Sequence, residues 1–231
     1  MSRPVLVLTH APHEGPGLIT RALDELPHRI RTVLDTPDPR LPSLDELGGL
    51  VVMGGPMDAD DAGHPGLAAE RRLLAEAVDA DVPVLGVCLG MQILALALGG
   101  ELHRRNGTEI GFAPVEVVHD DPLLAPLGAA PTVLHWHDDA VALPPGATLL
   151  ARSATTPVQA FRAGSAVGLQ FHVEIDRTLL DLWLTTPVMV DDLADGDADL
   201  IRTQGAHHLP GLVPAAVAGL STFADAVRAR G

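Results

Sequence analysis

The chain holds a single cysteine, Cys88, flanked by glycines in Gly86-Val87-Cys88-Leu89-Gly90. One apolar run, Val82–Val87, stops at that point and a second, Leu89–Leu98, begins. The first reads as a buried strand and the second as an apolar helix closed by Gly99-Gly100. A nucleophile on a sharp strand-to-helix turn takes a strained backbone, and glycines two residues either side leave it room. The helix N-terminus favours the thiolate and leaves the Leu89 N–H free to face a developing oxyanion. Cys88 is therefore expected to be a nucleophile, with Leu89 as an oxyanion donor.

A thiol nucleophile needs a base. Of the eleven histidines, His172 ends the apolar run Ala166–Phe171, which puts it at the C-terminal edge of a sheet, beside Cys88. Glu174 follows closely and can fix the tautomer of His172 and support its positive charge. The Gly54-Gly55 turn falls at the same edge, where its backbone can supply a second oxyanion donor. Metal binding is the rival chemistry. His135 and His137 would share one face of a strand, with Asp138 and Asp139 next in sequence and His119, Asp120 and Asp121 not far off. Such a pair is more often a polar strand end, so neither a metal site nor a cofactor is expected. His207-His208 reads as solvated surface.

The elements that must position these residues alternate in the first half of the chain. Pro4–Thr9, Arg29–Leu34, Gly49–Met53 and Val82–Val87 read as strands, with Gly17–Leu26, Pro65–Ala80 and Leu89–Leu98 as helices. That order predicts a doubly wound α/β fold with a mostly parallel sheet. Phe112–Val118, Thr132–Trp136, Thr148–Ser153, Val158–Arg162 and Ala166–Phe171 read as short strands forming a small antiparallel extension, with one strand returning to the main sheet. Helices follow at Arg177–Leu184, roughly Val190–Thr203, and Val213–Arg230. The apolar spacing of the last fits a stripe facing the core. We expect one domain over residues 1–176, with 177–231 a helical extension packed on it.

With 231 residues, the chain is long enough for a sizeable core. Its net charge is −15 and all its basic side chains are Arg. Without Lys, neither a Schiff base nor a phosphate-loop lysine is available. The acidity disfavours nucleic acid and anionic membrane surfaces as partners. No signal peptide and no apolar run long enough to span a bilayer is read. A lone cysteine suits a reducing cytoplasm.

Four stretches, Val51–Pro56 (VVMGGP), Pro83–Gln92 (PVLGVCLGMQ), Glu109–Val118 (EIGFAPVEVV) and Leu169–Glu174 (LQFHVE), resemble class I (triad) glutamine amidotransferases. The similarity is greatest to the glutaminase half of GMP synthetase and runs from about residue 4 to 176. It implies a flavodoxin-like fold in which Cys88 attacks a glutamine side-chain amide and water hydrolyses the γ-glutamyl thioester. His172 would be general base and acid, Glu174 the orienting carboxylate, and Gly55 and Leu89 the oxyanion donors. Gln92 resembles a substrate-binding glutamine. The segment His135–Asp139 resembles the family's Ser-His-Gly-Asp stretch, making His137, Asp138 and Asp139 substrate-binding candidates, with Asp139 a partner for a substrate ammonium.

Two positions depart from the family pattern. Val173 replaces the proline of His-Pro-Glu, and Asp138 stands where glycine is expected, crowding the pocket or repelling an α-carboxylate. No pyrophosphatase or Walker loop follows, so a separate synthetase subunit is one expected partner. The resemblance thus leaves three outcomes: a glutaminase feeding ammonia to a partner, a stand-alone γ-glutamyl hydrolase or peptidase, and a catalytically silent module.

Overall fold

A computed structural model describes residues 3–191 and 193–230. Met1, Ser2, Asp192 and Gly231, which fall within the expected domain ranges and the expected Val190–Thr203 helix, lie outside the described residues. The first half runs β1 (Val5–Leu8), α1 (Leu18–Leu23), β2 (His28–Arg31), β3 (Gly49–Val52), α2 (Gly66–Asp79), β4 (Val84–Val87) and α3 (Leu89–Ala97). The second half runs β5 (Leu102–His103), β6 (Glu109–Pro114), β7 (Glu116–Val117), β8 (Thr132–His137), β9 (Ala140–Val141), β10 (Thr148–Arg152), β11 (Ala160–Ala163) and β12 (Ala166–Leu169). Helices α4 (Arg177–Trp183), α5 (Pro187–Val190) and α6 (Asp197–Arg230) complete the chain.

Eight strands form one sheet in the order β2-β1-β3-β4-β12-β11-β10-β7. The first five are parallel, and β11, β10 and β7 continue antiparallel. Strands β1, β3, β4 and β12 are buried at every residue, as their unbroken apolar runs require. Successive side chains of β1 point to opposite faces. Val5 and Val7 pack into the core shared with α1, α4 and α6, and Leu6 and Leu8 into the core shared with α2 and α3. The strand that returns to the main sheet is β12, parallel to β4, so the segments after β4 and β12 emerge side by side.

Two expectations need correction. Phe112–Val118 is two strands: β6 pairs with β8 in a separate ribbon, and β7 joins the edge of the main sheet. The expected helices at Val190–Thr203 and Val213–Arg230 are replaced by α6, a continuous helix of 34 residues with Pro210 and Pro214 inside it. Gly196, at φ 91°, breaks the backbone just before it. Each proline removes a helical hydrogen bond, but burial of Leu209, Leu212, Ala216, Leu220 and Phe223 holds the helix together through them. By length and composition α6 is apolar enough to cross a membrane. Its apolar face, however, packs into the core with α1, α4 and β6.

Candidate active site

Cys88 sits between β4 and α3 at φ 51° and ψ −110°, a conformation strained for any residue with a side chain. Both flanking glycines are required. A Cβ on Gly86 would lie 2.6 Å from the Gly90 carbonyl oxygen, and one on Gly90 would lie 1.9 Å from the Val52 carbonyl oxygen. The turn is thus pressed against β3 with no space to spare. The thiol is largely buried and donates to the Trp136 carbonyl over 3.7 Å. Leu89 is the first residue of α3, and the N–H at a helix start has no intrahelical acceptor. Gly55 is seated against it, since a Cβ there would come within 2.7 Å of Leu89 Cδ2.

His172 leaves the sheet just after β12 and bridges to Leu134 of β8, its N–H donating to the Leu134 carbonyl over 2.8 Å. Its Nδ1 donates to Glu174 Oε1 at 2.7 Å, and both side chains are 1% exposed. Burial opposes charge on the ring. The Glu174 carboxylate and the neighbouring Cys88 thiol outweigh it, and the His172 pKa stands well above its ordinary value. His172 Nε2 has no hydrogen-bond partner among the described residues. Trp183 of α4 meets the imidazole edge-on at 4.8 Å and an interplanar angle of 89°, restricting the ring's tilt.

These groups line a cavity of about 280 Å³ with Glu14, Gly55, Gln92, Trp136, His137, Asp138 and Asp139. The Gln92 amide is held by Gln170 Oε1 at 3.2 Å and reaches the Asp139 carbonyl at 3.5 Å. His137 Nδ1 donates to that same carbonyl at 3.1 Å. Asp138 is exposed and lines the rim of the cavity. One oxygen of Asp139 accepts the Arg105 backbone N–H at 2.8 Å, and the other has no hydrogen-bond partner among the described residues.

Glu109, His135 and His137 each bring one ligand-type atom within 4.8 Å of the others, whereas Asp138 and Asp139 do not join that group. Glu109 Oε2 is already engaged by Gln159 Nε2 at 2.6 Å and Ser153 Oγ at 2.9 Å. The cluster is therefore knit as a hydrogen-bond network. Burial opposes the Glu109 charge, but hydrogen bonds from His137, Thr156 and Ser153 prevail and bring its carboxyl down to about 2.

Three groups were missed in the sequence. His10, at the end of β1, donates from Nδ1 to the Gly54 carbonyl at 3.0 Å and from Nε2 to Glu70 Oε2 at 2.9 Å. Burial works against its charge, yet the Glu70 carboxylate raises its pKa. This pair clamps the Gly54-Gly55 loop to α2. Glu14, in the loop after β1, lies beside Cys88. The rule that places loops after parallel strands at one edge, used for Gly54-Gly55, applies equally to residues 10–14 and would have found His10 and Glu14.

A sequence profile of the Glutamine amidotransferase class-I family matches residues 17–184. The chain belongs to the class I glutamine amidotransferases. A solved glutamine amidotransferase from Thermotoga maritima superposes with a TM-score of 0.85 at 30% identity, covering 97% of this chain and 99% of that one. A subunit of the glutamine-hydrolyzing GMP synthase of Sulfolobus acidocaldarius is 35% identical over 155 residues, 64% of this chain and 79% of that protein. The GMP synthase of Thermomicrobium roseum is 40% identical over 133 residues, 57% of this chain but 24% of that protein, so the chain spans only part of it. The amidotransferase fold is thus shared end to end with the Thermotoga protein.

Proposed function

We propose that the chain hydrolyses the γ-amide of glutamine or of a γ-glutamyl compound through a thioester on Cys88. The observation that carries this reading is the buried 2.7 Å bond from His172 Nδ1 to Glu174 Oε1, set beside a strained Cys88. The Cys88 thiolate attacks the amide carbonyl, and the oxyanion is received by the N–H groups of Gly55 and Leu89. The His172 imidazolium gives its proton to the departing nitrogen, which leaves as ammonia or an amine while the thioester forms. Neutral His172 then takes a proton from water, and the hydroxide attacks the thioester carbonyl. Cleavage of the C–S bond frees the acid and restores the thiolate–imidazolium pair. Glu174 fixes the tautomer throughout. Gln92, His137 and Asp139 orient the amino-acid end, Asp139 through its free oxygen.

Asp138 supports a second reading for the leaving half. An exposed carboxylate at the rim is suited to meet a larger amine than ammonia, so a γ-glutamyl conjugate fits the same chemistry. The relatives named as one subunit of a glutamine-hydrolyzing GMP synthase support a separate synthetase subunit as partner if the substrate is glutamine. A lone thiol supports a reducing cytoplasm as the setting for this chemistry. The test is release of ammonia or amine from glutamine and a γ-glutamyl dipeptide panel, with Cys88→Ser as control. Turnover that survives Cys88→Ser sinks the proposal. A γ-glutamyl adduct on Cys88 by mass spectrometry supports it.

A further inference from the structure

We infer that Glu14 is a substrate-contacting residue of the Cys88 pocket that works as a neutral carboxylic acid, donating its O–H to the bound γ-glutamyl group. The inference rests on the hydrolytic reading above and adds a residue to it. Glu14 lies in the loop between β1 and α1, is 6% exposed, and lines the cavity. Its Oε2 stands 2.2 Å from where a Cβ on Gly54 would be, and that point is 3.7 Å from Cys88 Cβ. The carboxyl therefore occupies space beside the nucleophile that only glycine at position 54 leaves open.

Burial outweighs the positive neighbours of this group, His172 and His10, each of which is already engaged by another carboxylate. His13 Nε2 is 3.7 Å from Oε1, too far for a hydrogen bond, and burial lowers the His13 pKa, which disfavours its cation. His10, from the same loop, is committed to Gly54 and Glu70. His172 faces Glu14 from beyond β12 but is paired with Glu174, itself another negative neighbour. Cys88 faces it from the β4–α3 turn, and Asp58 lines the same cavity from the loop after β3. No arginine lines the cavity among the described residues. Burial accordingly pushes the Glu14 carboxyl up to about 7.

A substrate that displaces water from the cavity raises the cost of ionising Glu14 further, so the O–H form is what the substrate meets. No hydrogen bond ties this carboxyl to another side chain or to the backbone among the described residues. Once water is displaced from the cavity this O–H needs another acceptor, and the γ-glutamyl carbonyl or the tetrahedral oxygen formed from it supplies one. An ionised Glu14 would instead add a further anion beside the Cys88 thiolate and the developing oxyanion.

The experiment compares wild type, Glu14→Gln and Glu14→Ala. Hydrolysis of glutamine and a γ-glutamyl dipeptide is followed from pH 5.5 to 8.5, together with labelling of Cys88 by a γ-glutamyl diazoketone and by iodoacetamide. Iodoacetamide checks that each variant forms the site. Glu14→Ala should lose about tenfold or more in kcat/KM and in diazoketone labelling, while iodoacetamide labelling is retained. Glu14→Gln keeps a donor at the same place. It should recover most of that loss and remove the decline that wild type shows above about pH 7. A Gln variant as impaired as Ala overturns the inference, because the carboxylate would then be the working form. An Ala variant equal to wild type overturns it as well. Wild type that neither hydrolyses these amides nor takes the diazoketone overturns the hydrolytic reading, and this inference with it.

Discussion

The turn that carries Cys88 can be tested by making one substitution, glycine to alanine, at two places where it must have opposite effects. At Gly90 the added methyl would sit 1.9 Å from the Val52 carbonyl oxygen and 2.5 Å from its carbonyl carbon. Both atoms belong to a buried strand hydrogen-bonded on both sides, so neither can swing away. Overpacking of this kind costs about 1–3 kcal/mol, and a rigid backbone neighbour puts Gly90→Ala at the upper end, about 3 kcal/mol. At Gly211, inside α6, nothing lies within 4 Å of the new methyl and the residue is exposed. There the helix preference of alanine over glycine predominates and stabilises by about 1 kcal/mol. For a chain of this size 1 kcal/mol moves Tm by roughly 2–4 °C. Thermal unfolding followed by circular dichroism should give a Tm about 6–12 °C lower for Gly90→Ala and a few degrees higher for Gly211→Ala. Equal melting temperatures for wild type and Gly90→Ala would refute the close approach of the elbow to β3, and with it the reason for a glycine there.

Two further outcomes concern the buried ionisable groups. Glu14 is held near 7 in the folded chain against an ordinary 4.5, so the folded state keeps a proton that the unfolded chain has released. Stability from this group is full below about pH 4.5 and falls as pH rises through 7, by up to roughly 3 kcal/mol. Urea unfolding of wild type and Glu14→Gln should diverge over that window in favour of Gln; parallel curves would rule out a buried, protonated Glu14. Glu70→Ala leaves the buried His10 Nε2 without its partner. It should cost about 1–3 kcal/mol and lower kcat through the loosened Gly54-Gly55 loop, measured by urea unfolding and by ammonia release.

The sequence carried most clearly what steric necessity dictates. Gly86 and Gly90 mark the elbow because any side chain there meets backbone, and the unbroken apolar run before Cys88 marks a strand buried on both faces. The pairing of His172 with Glu174 was legible for the same reason: the end of a buried strand fixes where the next residues emerge. Continuity of α6 was not legible, because Pro210 and Pro214 locally oppose helix and only the tertiary burial of Leu209, Leu212 and Leu220 reverses that preference. The split of Phe112–Val118 was hidden because one β-favouring run serves two different partners. The place of Glu14 was legible from the loop after β1, but what burial does to its carboxyl was not, and Glu70 was illegible altogether, because a single sequence does not display burial of isolated polar residues.

The sheet's outer strands bear on how the protein behaves when concentrated. Strand β2 is one edge, and an open edge offers unpaired backbone groups as a template for another chain. Its four residues are His28, Arg29, Ile30 and Arg31, and the opposite edge, β7, has only two residues. Like charges along β2 on one copy repel the same charges on a second, which keeps the exposed Ile30 from nucleating edge-to-edge growth. Replacing both arginines with valine would turn that edge into a flat, uncharged ribbon of strand formers and make fibril assembly, rather than unfolding, the limit on shelf life.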